Sequence, residues 1–298
     1  MIREKTRKPC VAGTFYDASP EDLKDNIETL LKCYKPEKLP GKVQAVIVPH
    51  AGYIFSGTTA AKTFKTAQTN DKYKLAIILA PSHCCPFSGI AYSTFSRYKT
   101  PLGDVEIDRR TLENIISAGN QWINRMDIAH EDEHSIEVEL PFLQVLFPGM
   151  PILPFVCGRI DRNIATSIVS TLSGFFREDI LWIISSDFTH YGTPFRYVPF
   201  DDNIQENLKK LDSFAAERII SLDYDGFSDH LKRTGATICG ANPIKILIKA
   251  LKQSVDKGMP ISGKMIEYTS SGELTGDWSH CVDYIGIVFY RHETLHSY

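Results

Sequence analysis

Three apolar runs in this chain stop at side chains that can bind a metal or move a proton. "AVIVPH" ends on His50, "IILAPSH" on His83, and "WIISSDFTH" on Asp187 and His190. Imidazole suits zinc, copper and iron, and a catalytic first-row metal takes about three protein ligands and keeps one position open. His50 and His83 could supply two ligands. Asp187 or His190 could supply another, or orient one of them. Cys239, in "TICGANP", is a further candidate. It precedes Gly240 and a predicted helix, whose positive end would ease formation of a thiolate. A lone loop histidine is ordinarily a hydrogen-bonding surface residue, and an isolated cysteine an inert thiol. Three runs that finish the same way weigh toward one shared site.

"HEDEHSIEVELP" (130–141) is the other dense stretch. Glu133, His134 and Glu137 fall near the start of a predicted helix, where carboxylates also favour the helix end electrostatically. The functional alternative puts His134 or a carboxylate in the site as acid, base or supporting partner. His130 and His134 have the spacing of a zinc-protease motif, but no apolar helix face surrounds them, so that motif is set aside. Cys84 and Cys85 adjoin His83 and read as two free thiols. His230, His280, His292 and His296 lie outside the constellation and read as surface or structural.

The elements that must position these residues are marked by period and by breakers. "KVQAVIVPH", "KLAIILAPSH" and "DILWIISSDFTH" are continuous apolar runs, as expected of strands buried on both faces. "PILPFVCG", "KMIEYTSS" and "VDYIGIVFY" are further strands. "IAYSTFSRY" and "DVEID" are strands joined by a turn at Pro101–Gly103. "ASPEDLKDNIETLLKCY" reads as a helix with Ser19 as N-cap, Pro20 in the first position and a stripe of Leu23, Ile27, Leu30 and Leu31. "GTTAAKTFKTA", "ATSIVSTLSGFF", "NIQENLKKLDSFAAERIISL" and "GANPIKILIKALKQSV" are helices, and another begins near Arg109. "HSIEVELPFLQVLFP" reads as one helix kinked at Pro141. Strands alternate with helices from end to end. That predicts a single α/β domain over residues 1–298, with a mostly parallel or mixed central sheet flanked by helices. Two fused half-domains are the alternative. In such a sheet, ligands bind outside the carboxyl ends of the strands.

Bulk properties narrow the function. The chain has 298 residues, 43% of them hydrophobic, and a formal net charge of -3. That near-neutral balance gives no electrostatic case for nucleic acid. No apolar run approaches the ~20 residues that cross a bilayer, and the basic N-terminus has no apolar stretch behind it. Seven scattered cysteines without a CxxC argue against a disulfide framework. A cytoplasmic protein without membrane or nucleic-acid partners is expected.

"VPHAGYIFSG", "APSH", "DEHSIEVELPF", "SSDFTHYG", "PFRYVPFD" and "TICGANPI", in this order, resemble the motifs of the Memo family, named for a mediator of cell motility. The resemblance runs from "AGTFYDAS" (12–19) to the C-terminal strand. It implies a fold shared with class III extradiol ring-cleavage dioxygenases and a non-haem metal pocket near one sheet edge. It implies His50, His83 and Cys239 as ligands, with iron or copper as the metal. It places Asp187 and His190 in the same pocket and His134 beside it. A cysteine in place of the carboxylate of a two-His-one-carboxylate site makes that site softer and more easily oxidised.

The resemblance also implies copper-dependent redox chemistry, binding of phosphotyrosine peptides of signalling proteins, and a radical-SAM companion in bacteria and archaea. Two functions therefore compete. One is a metal-dependent oxidoreductase acting on a small molecule, with His190 or His134 moving a proton and Asp187 fixing the tautomer. The other is a binding module that recognises a peptide or small acidic ligand in the same pocket, helped by Arg196 and Tyr197. A metal that only stabilises the fold is a third reading.

Overall fold

The apolar runs become the inner strands of one large sheet in the computed structural model, which describes residues 5–68 and 73–292. In chain order the strands are β1 (Thr6–Arg7), β2 (Gly41–Val48), β3 (Leu75–Pro81), β4 (Ile90–Tyr92), β5 (Arg97–Thr100) and β6 (Gly103–Glu106). They continue with β7 (Ile123–Arg125), β8 (Ile152–Cys157), β9 (Ile180–Ser185), β10 (His190–Gly192), β11 (Ile261–Ser270) and β12 (His280–His292). The nine-stranded sheet runs β10-β12-β2-β9-β3-β8-β4-β7, and β11 also pairs with β12. Its centre, β2-β9-β3-β8, is parallel. On one side β12 runs antiparallel to β2, β10 and β11; on the other, β4 runs antiparallel to β8. The sheet is therefore mixed, with a parallel core. Strands β1, β5 and β6 form a small second sheet.

The inner strands are apolar throughout because both faces are covered. Successive side chains of a strand point to opposite faces. Ala45, Ile47, Ile77, Leu79, Trp182 and Ile184 meet the layer of helices Arg162–Leu172, Ile204–Ile220, Tyr224–Thr234 and Ala241–Asp256. Val46, Val48, Ile78, Ala80, Leu181 and Ile183 meet the layer of helices Pro20–Lys32, Tyr53–Ala67 and Leu140–Leu146. Each such aliphatic side chain, fully buried, stabilises the fold by about 1.5–3 kcal/mol relative to an exposed one. No helix among the described residues is long and apolar enough to cross a membrane.

Local signals account for most element ends. Ser19 caps helix Pro20–Lys32, Pro20 opens it, and Leu23, Ile27 and Leu31 are buried. The Pro101–Gly103 turn joins β5 to β6. Two expectations change. Pro141 does not kink one long helix: His134–Glu137 and Leu140–Leu146 are separate, and Pro141 lies in the first turn of the second. There its missing N–H leaves no bond unmade. "IAYSTFSRY" is split between β4 and β5, which belong to different sheets. Helix Tyr224–Thr234 is an addition, its apolar period diluted by Gly226 and by the charges of Asp225, Asp229, Lys232 and Arg233.

The N-terminal segment is tied down by charge rather than by apolar burial. Arg7 is buried and pairs with the buried Glu137. The guanidinium also donates to the carbonyls of His130 (3.1 Å) and Glu133 (2.6 Å). Glu137 accepts from Tyr16 and from the N–H groups of Cys10 and Val11. Removing one partner of such a pair leaves an uncompensated buried charge. Glu137→Ala is therefore expected to cost about 3–5 kcal/mol, read as a lower urea midpoint.

Candidate metal centre

Strand β9 lies between β2 and β3, in a register that pairs Val48 with Ser185 and Leu79 with Ile184. The three carboxyl ends therefore finish level. His50, His83 and Asp187 each follow two residues after the end of their strand. Cys239 arrives from the loop before helix Ala241–Asp256. Gly240 lets that loop close on β9: a Cβ there would stand 2.2 Å from the Ser186 side chain. Instead the Gly240 N–H donates to Ser186 Oγ at 3.1 Å. Cys239 Sγ then lies 3.3 Å from His50 Nε2 and accepts the Asp187 N–H at 3.1 Å. One ligand atom each from His50, His83 and Cys239 falls within 4.8 Å of the others.

The two histidines present the same nitrogen. His50 Nδ1 lies 2.7 Å from Ser185 Oγ. That hydroxyl has oxygen acceptors of its own, the Ser135 carbonyl at 2.7 Å and Glu139 Oε1 at 2.8 Å. Its single proton goes to one of them, so the His50 Nδ1–H is the donor to Ser185 and Nε2 is bare. His83 Nδ1 lies 2.8 Å from the Glu133 carboxylate, which also accepts the His83 N–H at 2.6 Å. In the neutral ring His83 Nε2 is then the bare nitrogen, although the same carboxylate also favours the protonated ring. A carboxylate behind a ligating histidine is the usual device for fixing its tautomer.

Electrostatics agree with this geometry at His50, whereas at His83 a metal ion would have to displace a proton. His50 is buried, and burial together with the charges of His83 and His134 holds its pKa well below the ordinary value, so the ring is neutral. Burial opposes ionisation of Glu133, but its hydrogen bonds and charge interaction with His83 and its bond to Ser135 outweigh that and hold it down to about 2. Burial likewise lowers His83, yet the Glu133 hydrogen bond and charge raise it overall. The Cys239 thiol does not follow expectation. Burial and the neighbouring Asp187 push its pKa well up, outweighing any help from the helix end.

A second group of ligating type, His83, Glu133 and His134, shares His83 with the first. Its carboxylate is already engaged by His83 and by Ser135, whose N–H and hydroxyl lie 3.1 and 2.7 Å from Oε1. The His134 ring stacks on His83 with centroids 4.7 Å apart. Burial and the His83 charge lower its pKa.

Asp187 is buried, accepts the His50 N–H at 2.8 Å, and has its own pKa raised by burial. It does not set the tautomer of His190. That is done by the carbonyls of Phe188 and Thr237, 3.0 and 3.1 Å from His190 Nδ1.

His134, Asp187 and His190 line a cleft of about 450 Å³, whose other walls include Phe15, Ile54, Phe55 and Phe195. A larger groove of about 650 Å³ lies beside helices Arg162–Leu172 and Ala241–Asp256, and neither group of ligating type touches it. Arg196 and Tyr197 do not line the cleft, and the Tyr197 hydroxyl donates to the Thr234 carbonyl at 3.0 Å.

The other histidines sort as follows. His130 is buried and bonded to Tyr98 and the Ala91 carbonyl, on a short helix broken before His134. His230 is buried against Phe214. His280 sits at the cleft rim beside Asp277, and His292 bonds to Ser262. His296 lies outside the described residues. Cys84 and Cys85 are free thiols.

Ser185 and Thr237 are the working residues that the sequence reading leaves out. Ser185 carried a signal, a polar side chain at the inner end of an apolar run. Thr237 carried none.

Fold and site together define an α/β protein with a candidate metal centre at the carboxyl edge of its parallel strands. The family model described as Memo-like protein matches residues 7–288, and the chain belongs to that family. It is 34% identical to a MEMO1 family protein of Methanopyrus kandleri, covering 96% of this chain and 99% of that one. It is 32% identical to the Protein memo-1 homolog of Caenorhabditis elegans, covering 97% and 84%. It is 31% identical to Protein MEMO1 of Rattus norvegicus, covering 93% and 95%.

The loop that carries Asp187 and His190 rests on two buried carboxyls. Asp212 accepts from the Thr189 hydroxyl and from its N–H, at 2.5 and 3.2 Å. Asp283 accepts from the Tyr268 hydroxyl at 2.7 Å. Its Oδ1 is buried without a hydrogen bond of ordinary geometry, and the Asp212 carboxyl and the Ser270 hydroxyl are the neighbours that can offer it a proton. Burial raises both pKa values; the Asp283 charge and hydrogen bond raise Asp212 further, while the bond from Asp212 eases ionisation of Asp283. The folded protein thus holds a proton that the unfolded chain releases above roughly pH 4. Stability falls as pH rises through that window. Asp212→Asn is expected to be more stable than the native chain at pH 8, where the buried carboxyl would otherwise be pressed to ionise. The difference should vanish toward pH 4 in urea titrations.

Proposed function

We propose that this protein is a metal-dependent oxidoreductase that holds one iron or copper ion between His50, His83 and Cys239 and acts on a small molecule in the adjoining cleft. The observation that carries the reading is a pair of imidazoles whose Nδ1 atoms are both engaged, so that Nε2 is the ligating nitrogen of each, grouped within 4.8 Å of the Cys239 thiol. Ligand bonds of about 2.0–2.3 Å in a tetrahedral shell put ligand atoms roughly 3.3–3.8 Å apart. The 3.3 Å between Cys239 Sγ and His50 Nε2 fits that spacing. Two imidazoles and a soft thiolate favour copper, iron or zinc over magnesium or calcium. Bound there, iron or copper supplies a redox couple and an open coordination position.

The protein's own groups do the rest. Asp187 holds the end of β2 to the end of β9 through the His50 N–H. His190, its Nδ1 engaged, faces the cleft as a proton acceptor through Nε2. His134, kept neutral by burial and by His83, is a second acceptor one ring away. A binding module without turnover is the competing reading. The exposed apolar residues at the cleft mouth would suit a peptide.

Elemental analysis of anaerobically purified protein tests the reading. The native chain should carry roughly one iron or copper ion, and His50→Ala, His83→Ala and Cys239→Ser should each lose most of it. Unchanged stoichiometry in all three would overturn the ligand set, and zinc alone would overturn the redox assignment. Glu133→Gln should weaken metal binding by about 10–100-fold in chelator competition, because His83 loses its orienting carboxylate. Ligand affinity that survives both chelation and His50→Ala would favour the binding module.

A further inference from the structure

The cleft adjoins the candidate centre through Asp187 and His134, while His50, His83 and Cys239 do not line it, and its composition is marked. Its walls carry Phe15, Ile54, Phe55 and Phe195. Three of these are exposed large apolar side chains, Ile54 at 82% and Phe55 and Phe195 each at 37%. Ile54 and Phe55 occupy the first turn of helix Tyr53–Ala67, where a surface helix has every opportunity to place polar groups. Apolar side chains gathered at the mouth of a concave site mark a ligand surface.

The charges point the same way. Among the described residues that line the cleft there is no lysine or arginine, while Asp187 and Asp277 both do line it. Phosphate and carboxylate groups are normally met by guanidinium or ammonium groups or by free helix N–H groups. The helix end that faces the cleft does not offer a free set of the latter. The N–H of Tyr53 donates to the Phe15 carbonyl at 2.7 Å, and those of Phe55 and Ser56 donate to the Gly52 carbonyl at 2.8 and 3.1 Å.

One polar feature in the cleft has a fixed sense. His190 Nδ1 is held by two carbonyl oxygens, so it carries the ring proton. Nε2 is then an acceptor, and it makes no hydrogen bond among the described residues. The Phe195 ring stands edge-on to His190 with centroids 5.1 Å apart, so the acceptor opens directly beside an apolar wall.

We propose that the cleft takes an uncharged, largely apolar molecule with a hydroxyl group that donates its proton to His190 Nε2. The proposal rests on the oxidoreductase reading for its site and names the substrate class of that site. Charged carboxylates and phosphates are disfavoured, because no lysine or arginine among the described residues lines the cleft and of its three histidines His280 is already paired with Asp277. Ethers are disfavoured because they have no proton to offer.

A matched series of naphthalenes tests this by calorimetry on the full chain after the metal is removed with EDTA, so that no probe can bind through an ion. 2-Naphthol should bind about tenfold tighter than 2-methoxynaphthalene, the worth of one hydrogen bond. It should exceed 2-naphthoate and 2-naphthyl phosphate by at least as much. His190→Phe should keep ring binding and erase the preference for naphthol over the ether. Phe195→Ser should weaken the whole series severalfold. If that variant fails to show a native melting curve, Ile54→Ser, at an exposed position, takes its place.

Equal or tighter binding of the naphthoate, the phosphate or the cationic 2-naphthylmethylamine would overturn the proposal. So would a naphthol preference that survives His190→Phe, or no saturable naphthol binding at all. Because these measurements use metal-free protein, they fail independently of the metal assignment. Native metal loading with failed naphthol selectivity overturns the substrate class alone.

Discussion

The two parallel ladders of β9, one to β2 and one to β3, are the constraint on which the site depends. They set the ends of three strands level, so that the residues just beyond those ends share one small volume. A slip of one residue would turn every side chain to the opposite face. Ser185 would swing away from His50, and the apolar residues of β9 would meet the wrong helix layer. Burial on both faces is what forbids that slip. Trp182 and Ile184 are matched to one layer and Leu181 and Ile183 to the other. The hydrophobic core thus holds the positions of polar side chains it never touches.

Behind the site, carboxylates position rather than react. The segment 133–139 supports both histidines at once. Glu133 orients His83, and the Ser135 carbonyl and Glu139 flank the hydroxyl of Ser185, which in turn orients His50. Glu137 anchors Arg7 and the chain that leads to Phe15, whose ring packs edge-on against His134 at 5.0 Å. Bonds in such a buried chain reinforce one another, and a low-dielectric surrounding makes any unmade bond costly. One arrangement of the rings is therefore strongly preferred before any ion or substrate arrives.

The cleft shows how the same architecture divides labour. Its floor belongs to the sheet edge, where backbone pairing fixes geometry. Its walls come from the N-terminal segment, the first turn of a helix and the Phe195 loop, and two of their rings, Phe15 and Phe195, pack edge-on against His134 and His190. Selectivity by charge follows from what the walls omit.

Much of this was legible in the sequence. Continuous β-branched runs flanked by helical periods announce a sheet covered on both faces. Histidines and an aspartate at the ends of three such runs announce an edge site, since side chains beyond a strand end are released from the pleat. Cys239 and His134 stood out by residue type and context. The sequence could not show that β9 falls between β2 and β3, because strand order is set by how the helices cover the two faces. Nor could it show that Glu133 serves His83 from 50 positions away, or that Ser185 and Thr237 engage Nδ1 of His50 and His190. Residue types and local periods are written along the chain. Which nitrogen faces which sulfur depends on hydrogen bonds between segments far apart in sequence, and only the packed tertiary structure decides those.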